Sequence, residues 1–250
     1  MQVGFTTVTL RQIKDIEKIV AVAADIGADC IEWGADVHVK DTETAKRAKS
    51  LCDAAGISVC SYGSYYRVGS NDMAEWKRVC EIAAAMGAGI VRVWLGNKDS
   101  EKTDKATYSA LVDEVKAMCA VAAEYGVTVC PECHGNTYNN NTDAFLKMQK
   151  DVACDNFRTY FQSRYKRLEY DLDRIERTVK FIDCVHISYS EQVREQFPKL
   201  RLLYINVLLD KLKAADYNKS ILIEFTYYSM QHGLVGCLKR DIAKLKSKVK

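Results

Sequence analysis

The sequence predicts an α/β chain closed into a (β/α)8 barrel, and three observations predict it. A phrase is repeated four times, eight β-prone runs alternate with helical patterns, and polar residues gather at the ends of those runs. The phrase is an Ala-rich amphipathic stretch, a glycine, a short β-prone run and then a polar or aromatic residue. It reads AVAADIGADCIEW, AKSLCDAAGISVCSY, CEIAAAMGAGIVRVW and CAVAAEYGVTVCPE. Gly27, Gly56, Gly87 and Gly126 stand where each helix would end in the left-handed conformation. Their spacings of 29, 31 and 39 residues each hold one strand, one helix and two loops, the period of βαβ units on a parallel sheet.

Taken in order, the first strand is read near Val3 to Thr9, and the next four end at Trp33, Tyr62, Trp94 and His134. FRTYFQ after Asn156, DCVHIS after Ile182 and ILIEFT after Ser220 supply the last three. Helical patterns are expected at about 11–26, 42–55, 73–86, 104–125, 142–152, 169–181, 206–215 and 237–248. Eight such units in 250 residues fit one TIM barrel, and no linker or low-complexity tract divides residues 1–250, which read as a single domain. A doubly wound open sheet is the rival. It would need Gly-x-Gly-x-x-Gly after the first strand, where FTTVTLRQ stands instead.

Composition narrows the function classes. With 48% hydrophobic residues, only 2 Pro and 13 Gly, the chain can fill a core, and disorder is excluded. No apolar run approaches the roughly 20 residues of a membrane span. Thirty-six basic against 33 acidic residues leave a formal charge of +3, without the one-faced excess of a nucleic-acid binder. Ten cysteines without a leader pattern point to thiols in a reducing cytoplasmic setting rather than a disulfide framework. Cys130 and Cys133 form a C-x-x-C with no second pair to complete a zinc ribbon, and Cys52, Cys80, Cys119 and Cys184 occupy apolar core positions. His38 and His232 are expected in surface loops without a role.

Barrel chemistry is done at the carboxyl ends of the strands. There the chain carries Glu32 and Trp33; Tyr62, Tyr65 and Arg67; Arg92 and Trp94; Glu132 and His134; Gln162; His186; and Glu224. Glu132, His186 and Glu224 are flanked by apolar residues, where an unpaired charge would cost several kcal/mol, so something must compensate. The bland compensation is a set of salt bridges to Arg92, Lys166 or Lys180. The favoured one is a divalent cation, because two converging carboxylates alone would force one to take up a proton. With the amide oxygen of Gln162, these residues make an oxygen-rich, one-nitrogen set suited to Mn²⁺, Mg²⁺, Co²⁺ or Zn²⁺.

PECHGNTYNNNTDAF, VHIS and LIEF, in that order and at barrel spacing, resemble the xylose isomerase-like barrels of the sugar phosphate isomerase and epimerase family, and the resemblance covers essentially the whole chain. It implies one metal ion on Glu132, Gln162, His186 and Glu224, with Gln162 where most relatives place Asp. That departure should lower affinity for the ion. The implied reaction is proton transfer beside the carbonyl of a sugar, keto-polyol or sugar phosphate through a metal-stabilised enediolate, with Glu132 and Glu224 as base and acid. His134 would bind a sugar hydroxyl. Trp33, Tyr62, Tyr65 and Trp94 would stack on the sugar or wall it off, and Glu32, Arg67 and Arg92 would take hydroxyls or an anionic end. The family's substrate-binding Arg after the seventh strand has Arg194 as its nearest counterpart.

Three other readings compete with isomerisation. The same site could dehydrate an inosose-like ketone, or the barrel could bind a ligand without catalysis. Apurinic-site endonucleases share the barrel but need a His-rich three-zinc cluster, and this chain has four His in total.

Overall fold

The computed structural model describes residues 1–163, 165, 167–189, 198–226 and 233–249, with side chains described for all of these except 198–201. Lys166, Arg194 and His232 lie outside the described residues. The chain alternates strand and helix as β1 (Gln2–Thr6), α1 (Ile16–Asp25), β2 (Cys30–Gly34), α2 (Thr42–Ala54), β3 (Ser58–Val68), α3 (Met73–Met86), β4 (Ile90–Leu95) and α4 (Lys105–Glu124). It continues as β5 (Thr128–Pro131), α5 (Thr142–Val152), β6 (Thr159–Gln162), α6 (Leu168–Thr178), β7 (Ile182–Ser188), α7 (Pro198–Ala214), β8 (Ser220–Phe225) and α8 (Gly233–Val249).

All neighbouring strands pair parallel, in the order β5-β4-β3-β2-β1-β8-β7-β6. The two ends of that order meet at a single parallel bridge between Val129 and Phe157. There the Val129 N–H donates to Asn156 O at 2.8 Å and the Arg158 N–H donates to Val129 O at 3.0 Å. The result is a nearly closed TIM barrel forming one domain, as the repeat predicts.

Helix starts are set by short polar side chains. Asp15, Asp41, Asp72, Asp104 and Asn141 each accept a hydrogen bond from a backbone N–H in the first turn of α1 to α5. Each such cap contributes about 1 kcal/mol. The four repeat glycines all have positive φ, between 66 and 74°, as expected at helix ends.

Several boundaries differ from expectation. The first helix starts at Ile16 rather than near residue 11, because Thr7–Leu10 forms a 3-10 turn and the Asp15 side chain caps α1 beyond it. The last two helices start earlier than expected, at Pro198 and Gly233. Strand β3 runs on to Val68, so Tyr65, Tyr66 and Arg67 belong to the strand rather than to a loop after it. His38 is buried rather than on the surface. Its Nδ1 lies 2.9 Å from Thr7 Oγ1 and its Nε2 2.7 Å from Ile13 O, which ties the turn after β2 to the turn after β1.

Strand alternation sorts side chains into two cores. Ile31, Val91, Val129, Phe161, Val185 and Ile221 face the helices in one large cluster. Cys30, Cys130, Tyr160, Cys184 and Leu222, with Cys60 and Ile90, form a small second cluster inside the barrel. None of the ten cysteines stands in a disulfide, so Cys130 and Cys133 are not bridged.

On β1, a Cβ added at Gly4 would sit 1.9 Å from the Cys30 carbonyl oxygen of β2. Gly4→Ala is therefore expected to cost about 3 kcal/mol in urea unfolding, the upper end for overpacking, since backbone rather than a side-chain tip must give way. Gly89→Ala, with nothing within 4 Å of its new Cβ, should stay within about 0.5 kcal/mol of the parent.

Candidate metal centre

The site is the layer directly above the inner cluster. Two residues beyond Cys30, Ile90, Cys130, Tyr160, Cys184 and Leu222 stand Glu32, Arg92, Glu132, Gln162, His186 and Glu224. The two-residue period of a strand thus sends each into the barrel at nearly one height. All but Gln162 are buried, and Gln162 is half-buried.

Glu132, His186 and Glu224 each offer a ligand atom, and these atoms lie within 4.8 Å of one another. His186 Nδ1 is 3.7 Å from Glu132 Oε1, and the Gln162 amide donates from Nε2 to Glu224 Oε2 at 2.9 Å. Two acceptor-capable atoms at this point, His186 Nδ1 and Gln162 Oε1, are buried without a hydrogen-bond partner. Unpartnered buried polar atoms are costly, and a cation among Glu132, His186 and Glu224 would satisfy His186 Nδ1. Glu132, His186 and Glu224, two carboxylates and one imidazole nitrogen, therefore form a donor group suited to a divalent ion.

Glu32 and Arg92 stand beside this set rather than in it. The Glu32 carboxylate accepts from Tyr160 Oη at 2.8 Å and Ser61 Oγ at 2.9 Å, both on Oε2. Arg92 Nη1 lies 3.5 Å from Glu132 Oε2 and 3.9 Å from Glu32 Oε1. Burial alone would raise the Glu32 pKa, but the charge and hydrogen bond of His186, then Arg92 and Tyr160, hold it well below the usual carboxylate range. For Glu132, burial is likewise outweighed by Arg92 and His186, and the pKa falls. For Glu224, burial dominates and the pKa rises.

Above this layer come Trp94 and His134, again two residues on, and their rings stack at 5.1 Å with 18° between planes. The Arg67 guanidinium lies 4.5 Å over Trp94 and donates to Gly96 O at 2.6 Å. Tyr65, 43% exposed, packs 6.4 Å from Trp94, with Arg92 beneath it at 5.7 Å. These four side chains pack together at, or just past, the carboxyl ends of β3, β4 and β5.

Three expected substrate contacts are placed elsewhere. Trp33 and Tyr62 alternate with inward Glu32 and Ser61, so both point outward into the large core; Trp33 meets His38 edge-on at 6.1 Å, and Tyr62 donates to Val39 O at 2.9 Å. Neither can stack on a sugar. Glu32 is fully buried with Oε2 doubly occupied, so it does not face the mouth.

Other residues that hold the site carry no functional reading in the sequence. Tyr160 and Ser61 are two of them. Asn139 is another, donating to Pro131 O at 3.0 Å and accepting from Arg174 at 2.9 Å, which fixes the backbone just before Glu132. Tyr160 alone has a signal, standing two residues before Gln162 on a strand read as facing inward.

The sequence profile of the xylose isomerase-like TIM barrel family matches residues 20–236. No curated protein sequence matches significantly. Among solved structures, the probable 3-DHS dehydratase AsbF of Bacillus anthracis superposes with a TM-score of 0.81 at 16% identity, over 98% of this chain and 99% of that one. The 3-keto-D-glucoside 4-epimerase YcjR of E. coli gives 0.77 at 14% identity, over 99% of both chains. The D-psicose 3-epimerase of Clostridium cellulolyticum H10 gives 0.71 at 17% identity, over 98% of this chain and 92% of that one. At these identities the likeness is one of fold.

In the metal-free protein, burial disfavours the imidazolium of His186, but Glu32, Glu132 and Glu224 outweigh it and push its pKa up to about 10. A folded-state pKa above the unfolded value of about 6.5 adds stability that is complete below pH 6.5 and lost as pH rises through 10. Arg92 and Tyr160 also face this group, but both keep their protons through that window because their own pKa values are raised. Chelator-treated protein should therefore lose more thermal stability between pH 7 and pH 10 than its His186→Asn variant. Parallel melting-temperature profiles would contradict this.

Proposed function

Because the chain belongs to the xylose isomerase-like TIM barrel family, we propose that it is a divalent-metal-dependent isomerase or epimerase of a sugar, keto-polyol or sugar phosphate. The observation that carries the reading is the convergence of Glu132, His186 and Glu224 at one buried point, with Gln162 Oε1 and His186 Nδ1 left unpartnered there. Charge supports it as well. Three buried carboxylates, Glu32, Glu132 and Glu224, against the one guanidinium of Arg92 and a neutral ligating His186 leave two negative charges, the amount one divalent ion offsets.

Glu132, Gln162, His186 and Glu224 would hold the ion. When bound it supplies Lewis acidity toward neighbouring carbonyl and hydroxyl oxygens of the substrate. The protein does the rest. Glu132 and Glu224 come from strands on opposite sides of the β6–β7 pair and take up and return the proton on the carbon beside the carbonyl. His134 and Trp94 form a flat wall against which the sugar rests, while Arg67 and Tyr65 border the entrance. The buried floor excludes bulk water from the reacting carbon.

A second reading is dehydration of a keto-polyol on the same residues, with proton removal followed by loss of a neighbouring hydroxyl. The fold likeness to a probable 3-DHS dehydratase supports it.

One assay tests both. Purified protein with Mn²⁺, Mg²⁺, Co²⁺ or Zn²⁺ is incubated in D₂O with a panel of keto-polyols and sugar phosphates and followed by NMR. Exchange of the proton beside the carbonyl with a stereoisomeric product is expected; loss of water would favour the dehydratase. Glu132→Gln and Glu224→Gln should each lower exchange by about 10³-fold. If no ion raises the melting temperature and no substrate exchanges, the enzymatic reading fails. Gln162→Asp adds a charged ligand and is expected to tighten the ion about tenfold by calorimetry, the equivalent of about 1.4 kcal/mol.

A further inference from the structure

Resting on that reading, we infer that Glu32 is a positioning residue: it holds the Nε2–H of His186 so that Nδ1 is presented, unprotonated, to the ion. His186 Nε2 lies 3.4 Å from both Glu32 oxygens, while Nδ1, on the other side of the ring, has no hydrogen-bond partner and faces Glu132. An imidazole that ligates through one nitrogen keeps its proton on the other, and a carboxylate there selects the tautomer and fixes the ring.

Glu32 is itself immobilised. Tyr160 and Ser61 donate to Oε2, and Gly63 packs so closely that a Cβ there would stand 3.2 Å from Oε1. Tyr160 also meets the His186 ring edge-on at 5.0 Å, so one side chain grips both the carboxylate and the imidazole. The strands involved, β2, β3, β6 and β7, span half the barrel, so ring orientation is set by the closed sheet rather than by a loop.

The experiment uses the full chain and metal alone. With four histidines in the chain, ¹⁵N NMR of the Zn²⁺-loaded protein can resolve the His186 tautomer. The Nε2–H form is expected, and an Nδ1–H form would overturn the inference. Calorimetric titration with Co²⁺ should show a 10- to 100-fold weaker affinity for Glu32→Gln and a smaller loss for Tyr160→Phe, with an altered Co²⁺ absorption spectrum in both. Apo-state melting and near-UV circular dichroism establish that each variant is folded. Should Glu32→Gln not fold, Tyr160→Phe decides alone. Affinity within twofold of the parent and an unchanged spectrum would overturn the inference while leaving the metal reading intact. Absence of binding by the parent protein would remove both.

Discussion

Three carboxylates, a guanidinium and an imidazole share the centre of this barrel, where water scarcely reaches. A lone charge in such a place costs several kcal/mol, so each must be answered by a neighbour. Arg92 answers two of the carboxylates at once, lying 3.5 Å from Glu132 and 3.9 Å from Glu32. The imidazole lies between the same two residues, on its opposite nitrogens. Removing any member would strand another, so the residues constrain one another far more tightly than their separation in sequence suggests. The rest of the mouth is arranged around that constraint. Ser61 and Tyr160 tie down Glu32, Gln162 ties down Glu224, and Asn139 holds the chain that delivers Glu132.

The local rule that assembles this group is the two-residue period of a strand. A thiol, leucine, isoleucine or tyrosine fills the narrow interior at one level, and a polar residue stands one step further along. Small, soft cysteines suit the tapered space below, and burial raises the pKa of Cys130 and Cys184 far enough that they act as hydrophobes rather than nucleophiles. Side chains of odd register face the helices and form the outer core. One alternation therefore separates what stabilises the fold from what could do chemistry in it.

Much of this arrangement is legible in the order of residues alone. The glycine-ended repeats give the strand and helix order, and the apolar flanks of Glu132, His186 and Glu224 mark them as inward. The alternation that sends Glu32 inward also sends Trp33 outward, and aromatic character at a strand end obscures it. Tyr62 is hidden by a different cause. The register between β2 and β3 shifts at Ile31 and Glu32, so Ser61, not Cys60, faces Glu32, and a pattern of bare residues does not reveal such a shift. The burial of His38 escapes the sequence because it depends on Thr7 and Ile13, partners supplied by a turn distant along the chain.

The meeting of β5 with β6 gives the barrel an uneven wall. Every other neighbouring pair shares a ladder, whereas among the described residues this one is joined by the single bridge at Val129 and Phe157. Glu132 leaves from one lip of that gap, and Gln162, His186 and Glu224 belong to the run of strands ending at the other. On the proposed reading, an ion gripped by all four would act as a rivet across the least stitched line of the cylinder. Loading the centre and locking the wall shut would then be one event, and a chelator would loosen the architecture at the place where it empties the chemistry.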